Sequence, residues 1–313
     1  MNLKQEVLGV IFENPTVLAS GIMGVTASSW RFCAQNGAGA ITTKSLWIKE
    51  HLGNPNPTVI STDHWTLNAV GLPDAGVEKA EQEIADYLKD KPTPLIGNIV
   101  AGSIEDFGKT AEHIVKFKPD FLEVNISCPN VEDEFGKPFA CSEPDAAAAT
   151  KCVKEVSGKI PVFIKLSPNV DNIGAIASAC AEAGADGFTA INTVGPGMAI
   201  DLRSRMPILA NKVGGLSGPA IKPIAVKCIA DVYAATEGKL PIIGTGGVYT
   251  GEDALELMLA GATLIGIGTA VGDRGINVFQ KVCDEMQYWC TNEGIENISD
   301  MIGGMHKELA SRS

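Results

Sequence analysis

The chain has 313 residues, 45% of them hydrophobic and 20% charged, with a formal net charge of −12. That is enough material for a large core, either as two domains or as one α/β barrel. The acidic balance, without any Lys/Arg run, argues against a surface that tracks nucleic-acid phosphates.

Eight cysteines are scattered through a chain that opens on MNLKQEVLGV, and none stands at C-x-x-C spacing. With no signal-peptide pattern and no spanning segment, the expectation is a cytoplasmic protein without membrane association. No metal ligand set and no iron–sulfur cradle are expected in this chain.

In chain order, apolar runs of strand length lie at 17–20, 38–43, 95–100, 121–125, 161–166, 187–192, 240–245 and 264–268. Helix-like segments separate most of them, among them 104–117, 144–156, 173–183 and 252–260. Eight βα units with nearly continuous apolar strands predict a parallel sheet closed into a (β/α)8 TIM barrel, a single domain over residues 1–313. Two connections exceed a loop and a helix: 44–94 after the second strand and 193–239 after the sixth. Insertions that follow barrel strands stand on the catalytic face, so both are expected to wall or cover the site. Ser142 before Pro144, and Thr250 with Asp253, are predicted helix caps.

Closing the barrel would gather the strands' C-terminal ends at one mouth. These ends deliver Ser20 and Gly21, Lys44 and Ser45, Asn98, Asn125 with Cys128, Lys165, and Asn192 with Thr193. The last two strands end in glycine clusters, GTGG at 244–247 and GIGT at 266–269. Such loops let backbone N–H groups approach an anion, so a phosphorylated ligand is expected there, although tight turns alone would also use glycine. GIGTAV lacks the third glycine of a dinucleotide fingerprint and reads as phosphate-binding only.

Lys44 and Lys165 end apolar strands, where a cation is costly unless an anion or polar ligand shares the pocket; turned outward, they would be ordinary surface lysines. Asn68, Asn98, Asn125, Asn130 and Asn192 together offer the donor and acceptor pairs that match the edge of a pyrimidine-dione or flavin, while singly each could serve a turn. No His, Asp or Glu falls at a strand end. That leaves Cys128, in DFLEVNISCPN, as the candidate for acid/base work, since a thiol of pKa about 8.5 can serve once neighbours lower it. The alternative is a small buried hydrophobe.

The motifs ASG (19–21), TTKS (42–45), NAVGLP (68–73), NISCPN (125–130), IKLSPN (164–169), INT (191–193) and ILANKVGGLSG (208–218), with IGTGGV and GIGTA, resemble the class 1 dihydroorotate dehydrogenases. The resemblance implies an FMN enzyme of pyrimidine biosynthesis that oxidises dihydroorotate to orotate. Cys128 would remove a proton from C5 while C6 delivers hydride to the flavin. It implies FMN contacts at Ser20, Lys44, Ser45, Asn98, Asn125, Lys165, Ile191, Gly218, Gly246, Gly247, Gly268 and Thr269. Substrate contacts are implied at Lys44, Asn68, Ala69, Val70, Gly71, Leu72, Asn125, Asn130, Asn192 and Thr193. Lys165 would stabilise the anionic reduced flavin.

The start at Met1 lacks the membrane-associating extension of the quinone-linked class. NISCPN and ANKVGGLSGPAIKP are more similar to the NAD-linked class 1B catalytic subunit than to the fumarate-linked class 1A enzymes. Class 1B membership implies a homodimer joined by a subunit carrying FAD and a [2Fe-2S] cluster, in a heterotetramer. Residues 131–142 (VEDEFGKPFACS) and the tail after Asp273 depart from the pattern, so the electron acceptor stays open. The alternatives are a class 1A enzyme, a relative of dihydropyrimidine dehydrogenase, a Schiff-base aldolase using Lys165, and a non-catalytic flavin binder.

Overall fold

Eight short strands frame the molecule: β1 (Thr16–Leu18), β2 (Ala40–Thr42), β3 (Leu95–Ile99), β4 (Phe121–Asn125), β5 (Val162–Leu166), β6 (Gly187–Ala190), β7 (Ile242–Thr245) and β8 (Leu264–Ile267). They come from a computed structural model that describes residues 1–126 and 138–312. Each strand pairs in parallel with the next, and β8 pairs with β1, so the predicted closed barrel is present. The pairing runs in simple sequence order. All eight predicted apolar runs overlap a barrel strand; β1 begins one residue before its run, and half of the sixteen run ends are trimmed by one or two residues.

Helices follow the strands: α1 (Ala27–Gln35), α2 (Val77–Tyr87), α3 (Ile104–Ile114), α4 (Glu143–Ser157), α5 (Ile173–Glu182), α6 (Lys222–Ala235), α7 (Gly251–Ala260) and α8 (Val278–Asn292). Their starts were written in the chain. The Ser142 side chain accepts from the Asp145 amide ahead of α4, with Pro144 in its first turn. Before α7, Thr250 and Asp253 form the reciprocal capping box that their spacing predicts.

Within each strand, one set of residues faces the helices and the other faces the barrel interior. Leu122, Val124, Ile164 and Phe188 belong to the large outer core that the helices cover. The interior set at the N-terminal end is apolar: Val17, Ala40, Ile96, Phe121, Phe163, Ile243 and Leu264. Val7 and Phe12 join it from a hairpin of two short strands, Gln5–Val7 and Val10–Phe12. Phe12 lies 5.7 Å from Phe121 ring to ring, and Phe121 stacks 4.7 Å from Phe163. Gly187 on β6 leaves the space this needs, because a Cβ there would meet the Phe163 ring at 2.5 Å. The hairpin therefore plugs the end opposite the site.

The two long insertions meet at the other end. Val59–Ser61 and Thr66–Asn68 come from the first, Val194–Gly197 and Gly214–Ser217 from the second. They pair antiparallel into one four-stranded sheet, with Gly214–Ser217 against Thr66–Asn68 as the junction. A smaller hairpin, Ile200–Asp201 with Met206–Pro207, extends from it. No helix among the described residues is long and apolar enough to cross a membrane.

Candidate active site

Between this sheet and the C-terminal ends of the strands lies a cavity of about 520 Å³. That is within the range of small-molecule and cofactor sites. The barrel contributes Ser20, Lys44, Ser45, Asn125, Lys165 and Ile191 to its wall, and the glycine loops contribute Gly246, Gly247, Gly268 and Thr269. Asn192 follows β6 at the strand end, and the insertions contribute Asn68, Val70, Gly71, Leu72, Thr193 and Gly218. Two predicted residues do not line it. Ala69 is fully buried beneath the loop, and Asn98 is fully buried within the barrel. Cys128 and Asn130 lie outside the described residues.

The loop 68–72 is shaped from behind. Asn54 Nδ2 donates to the Ala69 carbonyl at 3.0 Å, and Trp47 Nε1 donates to the Leu72 carbonyl at 3.1 Å. These bonds turn Ala69 inward and leave its neighbours facing the cavity. On the facing side, Asn169 Nδ2 donates to the Thr193 carbonyl at 3.1 Å, and its Oδ1 accepts from the Gly195 amide at 2.8 Å. Asn169 thus fixes the chain as it leaves β6 for the cover. Asn125 Nδ2 reaches Ser45 Oγ at 3.4 Å, and Thr269 Oγ1 donates to Ser217 Oγ at 2.9 Å, tying the eighth strand's loop to the cover.

The glycine loops are built for close approach. Gly247 has φ +75°, and a Cβ there would meet the backbone of Lys222 at 2.7 Å. At Gly268 an added Cβ would instead find its nearest atom at 3.5 Å. A side chain there would occupy ligand space. At the start of α7 most donors are engaged: the Tyr249 and Thr250 amides just ahead of it bond Asp253, the Gly251 amide bonds Glu285 at 2.7 Å, and the Asp253 amide bonds Thr250 Oγ1 at 3.3 Å.

Two lysines, Lys44 and Lys165, face the same space. One carboxylate lies a layer below the strand ends, where the reading of those ends did not look. Glu123 sits two residues before the end of β4 and is 2% exposed, inside the barrel. Its Oε2 accepts from Thr189 Oγ1 at 2.6 Å, and its Oε1 accepts from Asn98 Nδ2 and stands 3.6 Å from Lys165 Nζ. Sequence reasoning missed it because FLEVN is otherwise apolar, and a parallel strand buried on both faces shows no alternation. Ser61, Thr66, Ser217 and Tyr249 also line the cavity without having been predicted. Burial and a bond to Asp273 push the Tyr249 phenol well above its ordinary range.

Burial pushes the thiols of Cys33 and Cys180 up to about 11, and that of Cys283 up to about 12. They are inert packing groups.

The donor set suits a phosphate-bearing heterocycle. Glycine loops, amides and two cations share the cavity wall. Asn98 Oδ1 is buried behind it with no partner among the described residues.

Comparison with known proteins agrees with this arrangement. A family model described as dihydroorotate dehydrogenase matches residues 2–289. A relative from Methanocaldococcus jannaschii, named dihydroorotate dehydrogenase B (NAD(+)), catalytic subunit, is 43% identical over 308 residues, covering 97% of this chain and 98% of its own. One of the same name from Geotalea uraniireducens is 41% identical, covering 97% and 98%. Among solved structures, DHODH from Eimeria tenella in complex with ferulenol superposes with a TM-score of 0.84 at 24% identity, over 97% of this chain and 89% of that one.

Proposed function

This chain belongs to the dihydroorotate dehydrogenase family, and on that premise we propose that it is the catalytic subunit of an NAD-linked, class 1B enzyme that oxidises dihydroorotate to orotate for pyrimidine biosynthesis. The observation that carries this reading is the convergence of both insertions and the barrel strand ends on one cavity with the glycine loops, lysines and amides the reaction needs.

The resident cofactor would be FMN, supplying the hydride acceptor. Gly246, Gly247, Gly268 and Thr269 would take its phosphate; Ser20, Ser45, Asn125, Lys165, Ile191 and Gly218 would hold its ring system. Asn98 would act from behind the wall. Lys44, the loop 68–72, Asn125, Asn192, Thr193 and Asn130 would bind the substrate, with Lys44 balancing its carboxylate. Cys128, as the thiolate, would take the C5 proton.

The chain has no complete dinucleotide fingerprint and no C-x-x-C pair. NAD reduction is therefore assigned to a partner subunit carrying FAD and a [2Fe-2S] cluster, docked on a homodimer of this chain. The free cysteines among the described residues suit the reducing cytoplasm.

The test is electron flow. Purified with FMN, the chain alone should oxidise dihydroorotate with an artificial dye and reduce NAD only very slowly, and the FAD and iron–sulfur subunit should restore NAD reduction. Rapid turnover of the isolated chain with fumarate would assign it to class 1A instead.

A further inference from the structure

Below the cavity the barrel interior changes character within one layer. The lower layer, with Ile96, Phe121 and Phe163, is apolar, whereas the residues two positions further along the same strands are Asn98, Glu123 and Lys165. Their registers place Asn98 opposite Glu123, and Thr189 opposite Lys165. Lys165 is 8% exposed and reaches the cavity wall; Glu123, behind it, does not line the cavity.

An ionised carboxylate only accepts hydrogen bonds. Glu123 meets three donor groups: Thr189 Oγ1 at 2.6 Å, Asn98 Nδ2, and the Lys165 ammonium at 3.6 Å. Packing alone does not call for a charge here, because the layer beneath is filled by hydrocarbon. A buried ion pair is retained at a cost in desolvation, which makes a role beyond packing the economical account.

We propose that Glu123 is a positioning residue for the redox step: it fixes the Lys165 ammonium against the cofactor and offsets part of its charge, and so holds bound FMN less readily reducible than an unpaired lysine would. This rests on the FMN reading above.

Glu123→Gln keeps the shape and removes the charge. With Lys165 uncompensated, the equilibrium constant for two-electron reduction of bound FMN should rise about tenfold, a shift of about +30 mV. Glu123→Asp, which keeps the charge, should stay near the wild-type potential. A second measurement needs no flavin. In the apoprotein, Glu123→Gln should lower the unfolding midpoint by stranding a buried ammonium, and Glu123→Gln with Lys165→Met should recover much of the loss. A Glu123→Gln chain that fails to fold while the double variant folds would be the extreme form of this coupling, and would support it.

An unshifted or lowered potential in FMN-loaded Glu123→Gln would overturn the inference and leave the cofactor assignment standing. Strictly additive effects in the apoprotein would also overturn it. A wild-type chain that retains no FMN would overturn the cofactor reading and the redox role of Glu123 together.

Discussion

At the scale of single residues, the chain separates inert thiols from the one assigned to chemistry. Cys33, Cys180 and Cys283 sit in apolar surroundings that raise their pKa to about 11 or 12, which leaves almost no thiolate at neutral pH. Cys128, three residues after Asn125 in the sequence, is the proposed base. Cys128→Ala should retain FMN and lose a factor of about 10² to 10⁴ in flavin reduction by dihydroorotate, the usual worth of a positioned base. Rapid-mixing absorbance of the flavin band would show it, and near wild-type reduction would remove Cys128 from the mechanism. Lys165→Ala should weaken FMN binding or make bound FMN harder to reduce, by roughly 3 to 4 kcal/mol if it supplies electrostatic stabilisation of the ordinary size. Unchanged affinity and potential would take Lys165 out of the site.

At the scale of elements, the loop after β7 is braced from outside the cavity. Burial opposes charge on Asp253, but Lys222 at 2.8 Å and the amides of Thr250 and Tyr249 outweigh it and hold its carboxyl below the ordinary range. Glu285 behaves alike: burial works against it, and Arg274 at 2.7 Å with the Gly251 amide lowers it. Because both folded-state pKa values are depressed, their contribution to stability is fully present above the unfolded values and is lost as pH falls through the folded ones. The unfolding midpoint should therefore drop below about pH 4.3, the ordinary Glu value. Asp253→Asn should flatten that dependence in thermal scans at pH 3 to 6, and an identical slope would show that the brace lies elsewhere.

These elements also show what could be read in advance. The eight strands, four helices and both caps were legible because apolar runs and capping pairs are local patterns. So were the lysines and glycines that end strands. Glu123 was not, since facing the interior is a property of the closed barrel and not of FLEVN. Nor was the sheet over the mouth, whose junction joins Gly215 to Asn68 across 147 residues. Ala69 and Asn98 stand off the cavity wall, where Asn54 Nδ2 donates to the Ala69 carbonyl and Asn98 Nδ2 donates to Glu123, and neither long-range contact can be read from the local sequence.

At the scale of the whole molecule, stability and chemistry occupy opposite ends of the barrel. Phe12, fully buried against Phe121, closes the end away from the cavity. Phe12→Ala should cost about 3 to 5 kcal/mol in denaturant unfolding, while FMN affinity per folded molecule stays at the wild-type level. A specific loss of FMN affinity would mean that the plug and the mouth are coupled.

The closing seam, where Ile265 pairs with Thr16, has a consequence for synthesis. A ribosome adds about 5 to 20 residues per second and releases the chain from its N-terminus. The first strand waits for its last neighbour until nearly the whole barrel has emerged, and Gly268 emerges just after it. No N-terminal fragment that stops before residue 266 holds both glycine loops. The proposed cofactor would therefore not template the early strands; it would reward chains that have already closed the ring, and its loading would be a checkpoint on finished molecules.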